Sequence, residues 1–294
     1  MARPLLIEFQ DAFYHVISRG LNRQKLFLDE DDFVFFLWLL NQAQEKFGFI
    51  CHGYCLMNNH YHLFLQTPNA NLSKIMKFIN ESYARYFLNK YPNRDGHVFK
   101  GRYKRKLVQT DLYSLQLSRY IHLNPVKAGI VKHPHEWKWS SYNAFIGLTA
   151  SNRFLNKEWI LQQFSKNKKQ AKEKMIEYTY EDISCFWNPD DYSCGEVILG
   201  SKEFLHHIIN QHIDTSKIDH RIIAASELNI SKNQKPEYVL GQLEKLNLEA
   251  KMKMQVSVYF LKQHTNLSLA QIVVIFGKSS SAVSKIFLRV KGKK

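Results

Sequence analysis

The stretch Tyr54-Cys55-Leu56-Met57-Asn58-Asn59-His60-Tyr61-His62-Leu63-Phe64-Leu65-Gln66 decides how the chain is read. Two apolar runs flank Asn58-Asn59, which predicts a β-hairpin or bulged strand pair with the asparagines at the turn. Side chains alternate faces along a strand, so His60 and His62 share one face and Tyr61, Leu63 and Leu65 take the other, the core face. Two neutral imidazoles side by side on a sheet can hold one metal ion. A chain with 13 histidines also produces a His-x-His by chance, and the pair alone does not decide between these readings.

Working outward, Phe13 to Gly20 reads as a first strand running into a turn. Arg19 and Arg23 flank that turn, either as phosphate ligands or as ordinary surface charge. Asp29 to Phe47 reads as a helix, with acidic residues in its first turn and an apolar stripe through Phe33, Phe36, Leu37, Leu40 and Phe47. Phe49–Met57 and His60–Thr67 follow as strands. A second helix begins at Asn71-Leu72-Ser73, Lys104–Gln109 is a fourth strand, and Asp111 caps a third helix over Tyr113 to about Leu123. The order β-α-β-β-α-β predicts an α+β fold, a ferredoxin-like sandwich. With helices on one face of the sheet, the other face is expected to be free and to carry His60 and His62.

Tyr120 and Asn124 lie one helical turn apart on the third helix and share a face. Set against the two histidines, they could supply a nucleophile and a neutral oxygen ligand. Coordination sites would remain for phosphate oxygens. Tyr120 could equally be a core residue, and Asn124 before Pro125 has the look of a helix end. The segment Gly96 to Lys106 carries Lys100, Arg102, Lys104 and Arg105 interleaved with Phe99 and Tyr103. Cations with aromatics suit a tracked nucleic-acid backbone and stacked bases, whereas a bare charge run is usually a solvated face.

The formal net charge is +15, and both halves of the chain are basic, which points to a polyanionic partner. No apolar run approaches the ~20 residues of a membrane span, and the N-terminus lacks the apolar core of a signal peptide. Cys51, Cys55, Cys185 and Cys194 are too few and too scattered for a disulfide framework. A cytoplasmic setting is expected, without membrane contact.

Past Trp137–Phe145, which reads as a packing tail, the composition turns polar and lysine-rich. The expected division is a first domain over 1–148, a connector over 149–195 and a helical domain over 196–294. Within the last, Phe204–His212, Ile218–Ala225 and Leu246–Gln263 are apolar-periodic. Leu269–Phe276, Gly277 and Ser279–Leu288 predict a helix-turn-helix near 267–289, with Ala270, Ile272, Val273, Phe276, Ala282, Val283, Ile286 and Phe287 inward. Ser280, Ser281 and Lys285 would then face a DNA groove. A plain helical hairpin gives the same pattern.

Together these segments resemble the HUH single-tyrosine transposases, and among them the REP-associated tyrosine transposases, across residues 11–148. The resemblance is carried by Tyr14-His15-Val16 with Ser18-Arg19-Gly20, by Tyr54–Met57 leading to Asn59-His60-Tyr61-His62, and by Ser82–Phe87. Gly96–Lys104, Arg119–Pro125 and Trp137–Tyr142 continue it. The family commonly has proline where this chain has Asn58. The resemblance implies that His60 and His62 hold a divalent ion, Mg²⁺ or Mn²⁺, with Asn124 as a further ligand and Tyr120 as nucleophile. It implies cleavage and rejoining of single-stranded, hairpin-forming DNA through a covalent 5′-phosphotyrosine, by a monomer or a homodimer. The C-terminal region resembles helix-turn-helix extensions that would bind duplex DNA. A non-catalytic relative that binds DNA or regulates transcription is the rival reading, and an RNA-hairpin binder is a third. An intact His60, His62, Tyr120 and Asn124 set favours the enzyme over both, since a pure binder needs none of them.

Overall fold

A computed structural model describes residues 7–94, 96–181, 187–194, 197–212, 235–244, 250–265, 267–277, 279, 281–283 and 286. The first elements are β1 (Ala12–Arg19), α1 (Glu30–Phe47), β2 (Ile50–Met57), β3 (His60–Thr67), α2 (Leu72–Lys90), β4 (Lys104–Val108) and α3 (Thr110–Lys127). Across the sheet the strands run β2-β3-β1-β4, every neighbouring pair antiparallel, and Ile198–Leu199 adds beside β4 in parallel. The mixed α/β architecture expected from the sequence is present.

Local chemistry explains the element ends. Asp29 and Asp32 form a reciprocal capping box at the start of α1, and Gly48 ends it in the left-handed conformation at φ 68°. α2 buries Leu72, Ile75, Met76, Ile79, Tyr83 and Phe87, the three-to-four spacing of one helical stripe. Both helices cover the Tyr61 face. The Phe36 ring lies 4.7 Å from that of Tyr61, and the Tyr61 hydroxyl donates to Asn80 Oδ1 at 2.5 Å.

The opposite face is not free. α3 lies across β2 and β3, so β3 is buried on both sides: Leu63, Phe64 and Leu65 are all inaccessible. α3 also runs past the expected end at Leu123, to Lys127, with Pro125 inside it. Pro125 falls in the last turn, where its missing N–H leaves only the Ile121 carbonyl without a helical donor, and Ala128 N still donates to Asn124 O at 2.9 Å.

Residues 149–193 are no connector. After α4 (Tyr142–Ile146), α5 (Glu158–Gln162) and α6 (Lys168–Tyr180) pack on α3 and α4. Trp159 stacks on Phe13 and leans on His52, and Asn156 N donates to Cys51 O at 2.7 Å. One compact unit therefore spans 7–193 and takes in 198–200, while 201–294 belongs to a second. The polar composition that suggested a linker is the solvent face of two amphipathic helices.

In the second unit the described helices are Lys202–His212, Pro236–Glu244, Ala250–His264 and Leu269–Phe276. Val239, Leu243, Val256, Val258, Phe260, Leu261, Ile272 and Val283 form its core, with Val273, Phe276 and Ile286 packed against it. Ser268 and Gln271 form a capping box, and Gly277 closes the 269–276 helix at φ 58°. Ala270, expected inward, is exposed. Residues 218–225, Ser280, Lys285 and Phe287 lie outside the described residues. Among the described residues no helix is long and apolar enough to cross a membrane.

Candidate active site

The site forms where β1, β3 and α3 meet. In the β1–β3 register Arg19 lies opposite His60 and Ile17 opposite His62, so residues 15, 17 and 19 share the histidine face. His15 therefore joins the pair: its Nε2 is 3.0 Å from His62 Nδ1, and the two rings stack at 5.2 Å between centroids. The His60 ring meets that of His62 edge-on at 4.9 Å. Tyr120 comes down from α3, its ring edge-on to His62 at 5.6 Å and to His15 at 5.8 Å. Asn124 sits beside Tyr120 as expected, and its Nδ2 donates to the Tyr120 carbonyl at 2.8 Å.

The turn between the strands is held from outside. Leu26 N and Phe27 N both donate to Asn58 O, at 2.7 and 3.1 Å, and Gly20 N donates to Asn59 O at 2.9 Å. This docking uses the Asn58 carbonyl, a group that proline also offers. Gly20 is needed for close approach, because a Cβ there would stand 2.2 Å from the Gln24 carbonyl oxygen.

Burial and neighbouring cations keep the imidazoles neutral. His15 is pushed down to about 3 by burial and then by Lys106, which lies opposite it on β4. His60 is pushed down to about 4 by burial and then by Arg19, and His62 lies well below its usual value through burial and the neighbouring His15 and His60. Neutral imidazole is the form that ligates metal. His62 Nε2 is buried and has no partner among the described residues, which fits a site for a cation. His60 and His62 stand as a pair: among the described residues no group of three or more His, Cys, Asp or Glu is poised on one ion. Burial, followed by the Asp190 carboxylate, pushes the Tyr120 phenol up to about 12, against a hydrogen bond with Asn124.

Sequence reasoning missed three contributors. His15 was visible in Tyr14-His15-Val16, but only strand register places it beside His62. Lys106 grips Asp190 at 2.5 Å and bonds Pro189 O and Ser193 Oγ, fastening 187–193 near the site. Trp187 then meets Tyr120 edge-on at 6.0 Å and stacks with Tyr192 and Tyr113. Their separation in sequence, over 80 residues from Lys106, gave no local signal.

Of the proposed DNA contacts, Arg19, Arg23, Lys100, Arg102 and Lys104 are exposed. Arg19 and Lys100 lie on paired segments: Gly20 bridges Phe99, and Lys100 N donates to Arg19 O at 2.8 Å. Phe99 is a correction. It is 9% exposed, its ring packed against Tyr61 and Tyr83, so it is a core residue and not a base-stacking one. Tyr103 is half-buried with the Arg105 guanidinium over its ring at 5.8 Å. Ser281 is exposed.

The buried histidines give the fold an acid limit. His122, driven down to about 3 by burial alone, bonds Ser141 Oγ at 2.8 Å, and that hydroxyl also accepts from Tyr54 N. In the unfolded chain histidines protonate near 6.5. Their folded values are depressed, so stability is complete above about pH 6.5 and is lost below it, by up to about 1.4 kcal/mol per pH unit for each histidine. The melting temperature is expected to be level from about pH 7 to 8 and to fall steeply between about pH 6 and 4. A level melting curve through that window would show that these side chains are not buried.

The site thus sets a pair of strand histidines, His60 and His62, against a helix-borne tyrosine, Tyr120. Residues 8–124 match the family described as Transposase IS200 like. The resemblance to transposases read from the sequence is shown by this match and by a curated relative. A REP-associated tyrosine transposase of Haemophilus influenzae is 24% identical over 112 residues, 35% of this chain. The chain spans 64% of the length of that relative. Among solved structures, a REP-associated tyrosine transposase bound to a REP hairpin is 15% identical, with a TM-score of 0.43, over 53% of this chain and 92% of the other. A transposase of Deinococcus radiodurans is 18% identical, with a TM-score of 0.29, over 40% and 92%.

Proposed function

We propose that the chain nicks and rejoins single-stranded, hairpin-forming DNA through a covalent bond between Tyr120 and a 5′ phosphate. The observation that carries this is the Tyr120 ring standing edge-on to His62, whose Nε2 is buried and has no hydrogen-bond partner among the described residues. The phenol oxygen attacks phosphorus and loses its proton, and the 3′ oxygen leaves and is protonated to a hydroxyl. Rejoining runs the exchange in reverse. His60 and His62 would hold a Mg²⁺ or Mn²⁺ ion, which supplies Lewis-acid polarisation of the scissile phosphate. Asn124 is the proposed further ligand. In the free protein its amide nitrogen is committed to the Tyr120 carbonyl, which leaves its oxygen as the group to offer.

The strand order β2-β3-β1-β4 with α1 and α2 on one face supports a ferredoxin-like sandwich. The left-handed Gly277 between the 269–276 helix and the turn at Ser279–Val283 supports a helix-turn-helix for duplex DNA, with Ser281 outward. Incubating the full chain with a single-stranded hairpin and Mg²⁺ or Mn²⁺, then running a denaturing gel, tests the function. A protein-linked DNA band is expected, and a strand cut with no attached protein would reject the tyrosine mechanism.

Arg19, Arg23, Lys100, Arg102 and Lys104 are proposed to contact phosphates. Replacing Lys100 and Arg102 together by alanine is expected to weaken hairpin binding and to lower the slope of log K against log salt by roughly 0.7 per contact. An unchanged slope would place the DNA elsewhere.

A further inference from the structure

We propose that Asn59 and His15 are positioning residues, fixing the protons of His60 and His62 so that both Nε2 atoms are offered bare to one divalent cation. The inference rests on the reading of His60 and His62 as the metal pair. A neutral imidazole has one N–H and one lone pair, and only the bare nitrogen can ligate. Histidines that bind metal usually give the other N–H to an acceptor, which sets both the tautomer and the ring plane.

For His60 the acceptor is Asn59. Its Oδ1 lies 2.6 Å from His60 Nδ1. Either end of an amide can face a ring, but here the choice is made: Asn59 Nδ2 donates to the Arg23 carbonyl at 3.4 Å, which leaves the oxygen toward the imidazole. Nδ1 of His60 therefore carries the proton and Nε2 does not.

For His62 the partner is His15, with one proton shared between His15 Nε2 and His62 Nδ1 at 3.0 Å. His15 Nδ1 and His62 Nε2 are both buried without a partner among the described residues. If His15 donates, His62 carries a buried, unpaired Nε2–H and cannot ligate. If His62 donates and no ion is bound, two buried atoms are still unpaired. Only with His62 donating and a cation on its Nε2 does the number fall to one. Each unpaired buried polar group is costly, so ion binding selects this tautomer. The stacked rings, 17° from parallel, hold the plane of His62 while it ligates.

The test is calorimetric titration of the full chain with MnCl₂, with thermal melting as a check on folding. His15→Phe keeps the stacked ring and removes the acceptor. Asn59→Ala removes the other acceptor from a turn, outside the core. Each is expected to weaken Mn²⁺ by about 10- to 100-fold. Asn59→Asp, which restores an acceptor oxygen, is expected to bind at least as tightly as the parent. Wild-type affinity in both His15→Phe and Asn59→Ala overturns the positioning role while the metal pair stands. Equal Mn²⁺ binding by the parent and by a His60→Ala/His62→Ala double variant overturns the metal pair itself, and this inference with it. Should His15→Phe fail to fold, the two Asn59 variants decide.

Discussion

Replacing Tyr120 by phenylalanine is expected to abolish the covalent protein–DNA product while leaving the fold and hairpin binding in place. The substitution removes one oxygen. The ring keeps its edge contacts with His15, His62 and Trp187, so the packing of α3 on the sheet is preserved. Loss of a nucleophile typically costs orders of magnitude in rate, and a fall of about 10⁴-fold or more is expected here. The phenol is raised to about 12, so at neutral pH it is protonated, and the proposed attack requires that proton to leave. The measurement is adduct formation on a denaturing gel beside hairpin binding by the same variant. Undiminished nicking by the phenylalanine form would mean that Tyr120 is a packing residue. Tyr61, buried with its hydroxyl on Asn80, is poorly placed to take over.

The second large effect concerns where the chain can be cut. A fragment ending at 148 is expected not to fold cooperatively, whereas one ending at 200 melts as a unit. Cutting at 148 removes Phe154, Leu155, Ile160, Leu161, Ala171 and Met175, all buried. It also strips Trp159 from Phe13 and His52, and Asn152 Nδ2 from the Tyr54 hydroxyl at 2.8 Å. Full burial of each large apolar side chain contributes roughly 1.5–3 kcal/mol. Their combined loss is comparable with the whole stability of a domain, about 5–15 kcal/mol. The cut at 200 also keeps Ile198–Leu199 beside β4 and the Lys106–Asp190 contact. Melting of the two fragments is the check. A sharp transition for the shorter one, within a few degrees of the longer, would return 149–193 to the status of a linker.

The elements up to α3 were legible in the sequence because each is specified locally. Asp29 and Asp32 cap α1, Gly48 stops it, and the stripe of α2 repeats at helical spacing. Strand alternation put His60 and His62 on one face, and one helical turn put Tyr120 beside Asn124. The same local reasoning misjudged Phe99. Its place in a run of cations suggested a surface, but Gly20 bridges it and turns its ring toward Tyr61 and Tyr83.

What the sequence determined by itself is what depends on near neighbours: element type, capping, the alternation of the histidines, and a strongly basic charge. Tertiary structure decided what depends on residues far apart in the chain. Antiparallel register brought His15 to His62 across 47 positions, and the Lys106 contacts brought Trp187 to Tyr120. It also decided that α3 covers the sheet face expected to be open, and that α5 and α6 belong to the first unit. The physical reason is that burial is a property of the assembled surfaces. A helix with one apolar stripe and a polar back reads the same whether or not a partner awaits it, and only packing reveals which face is covered.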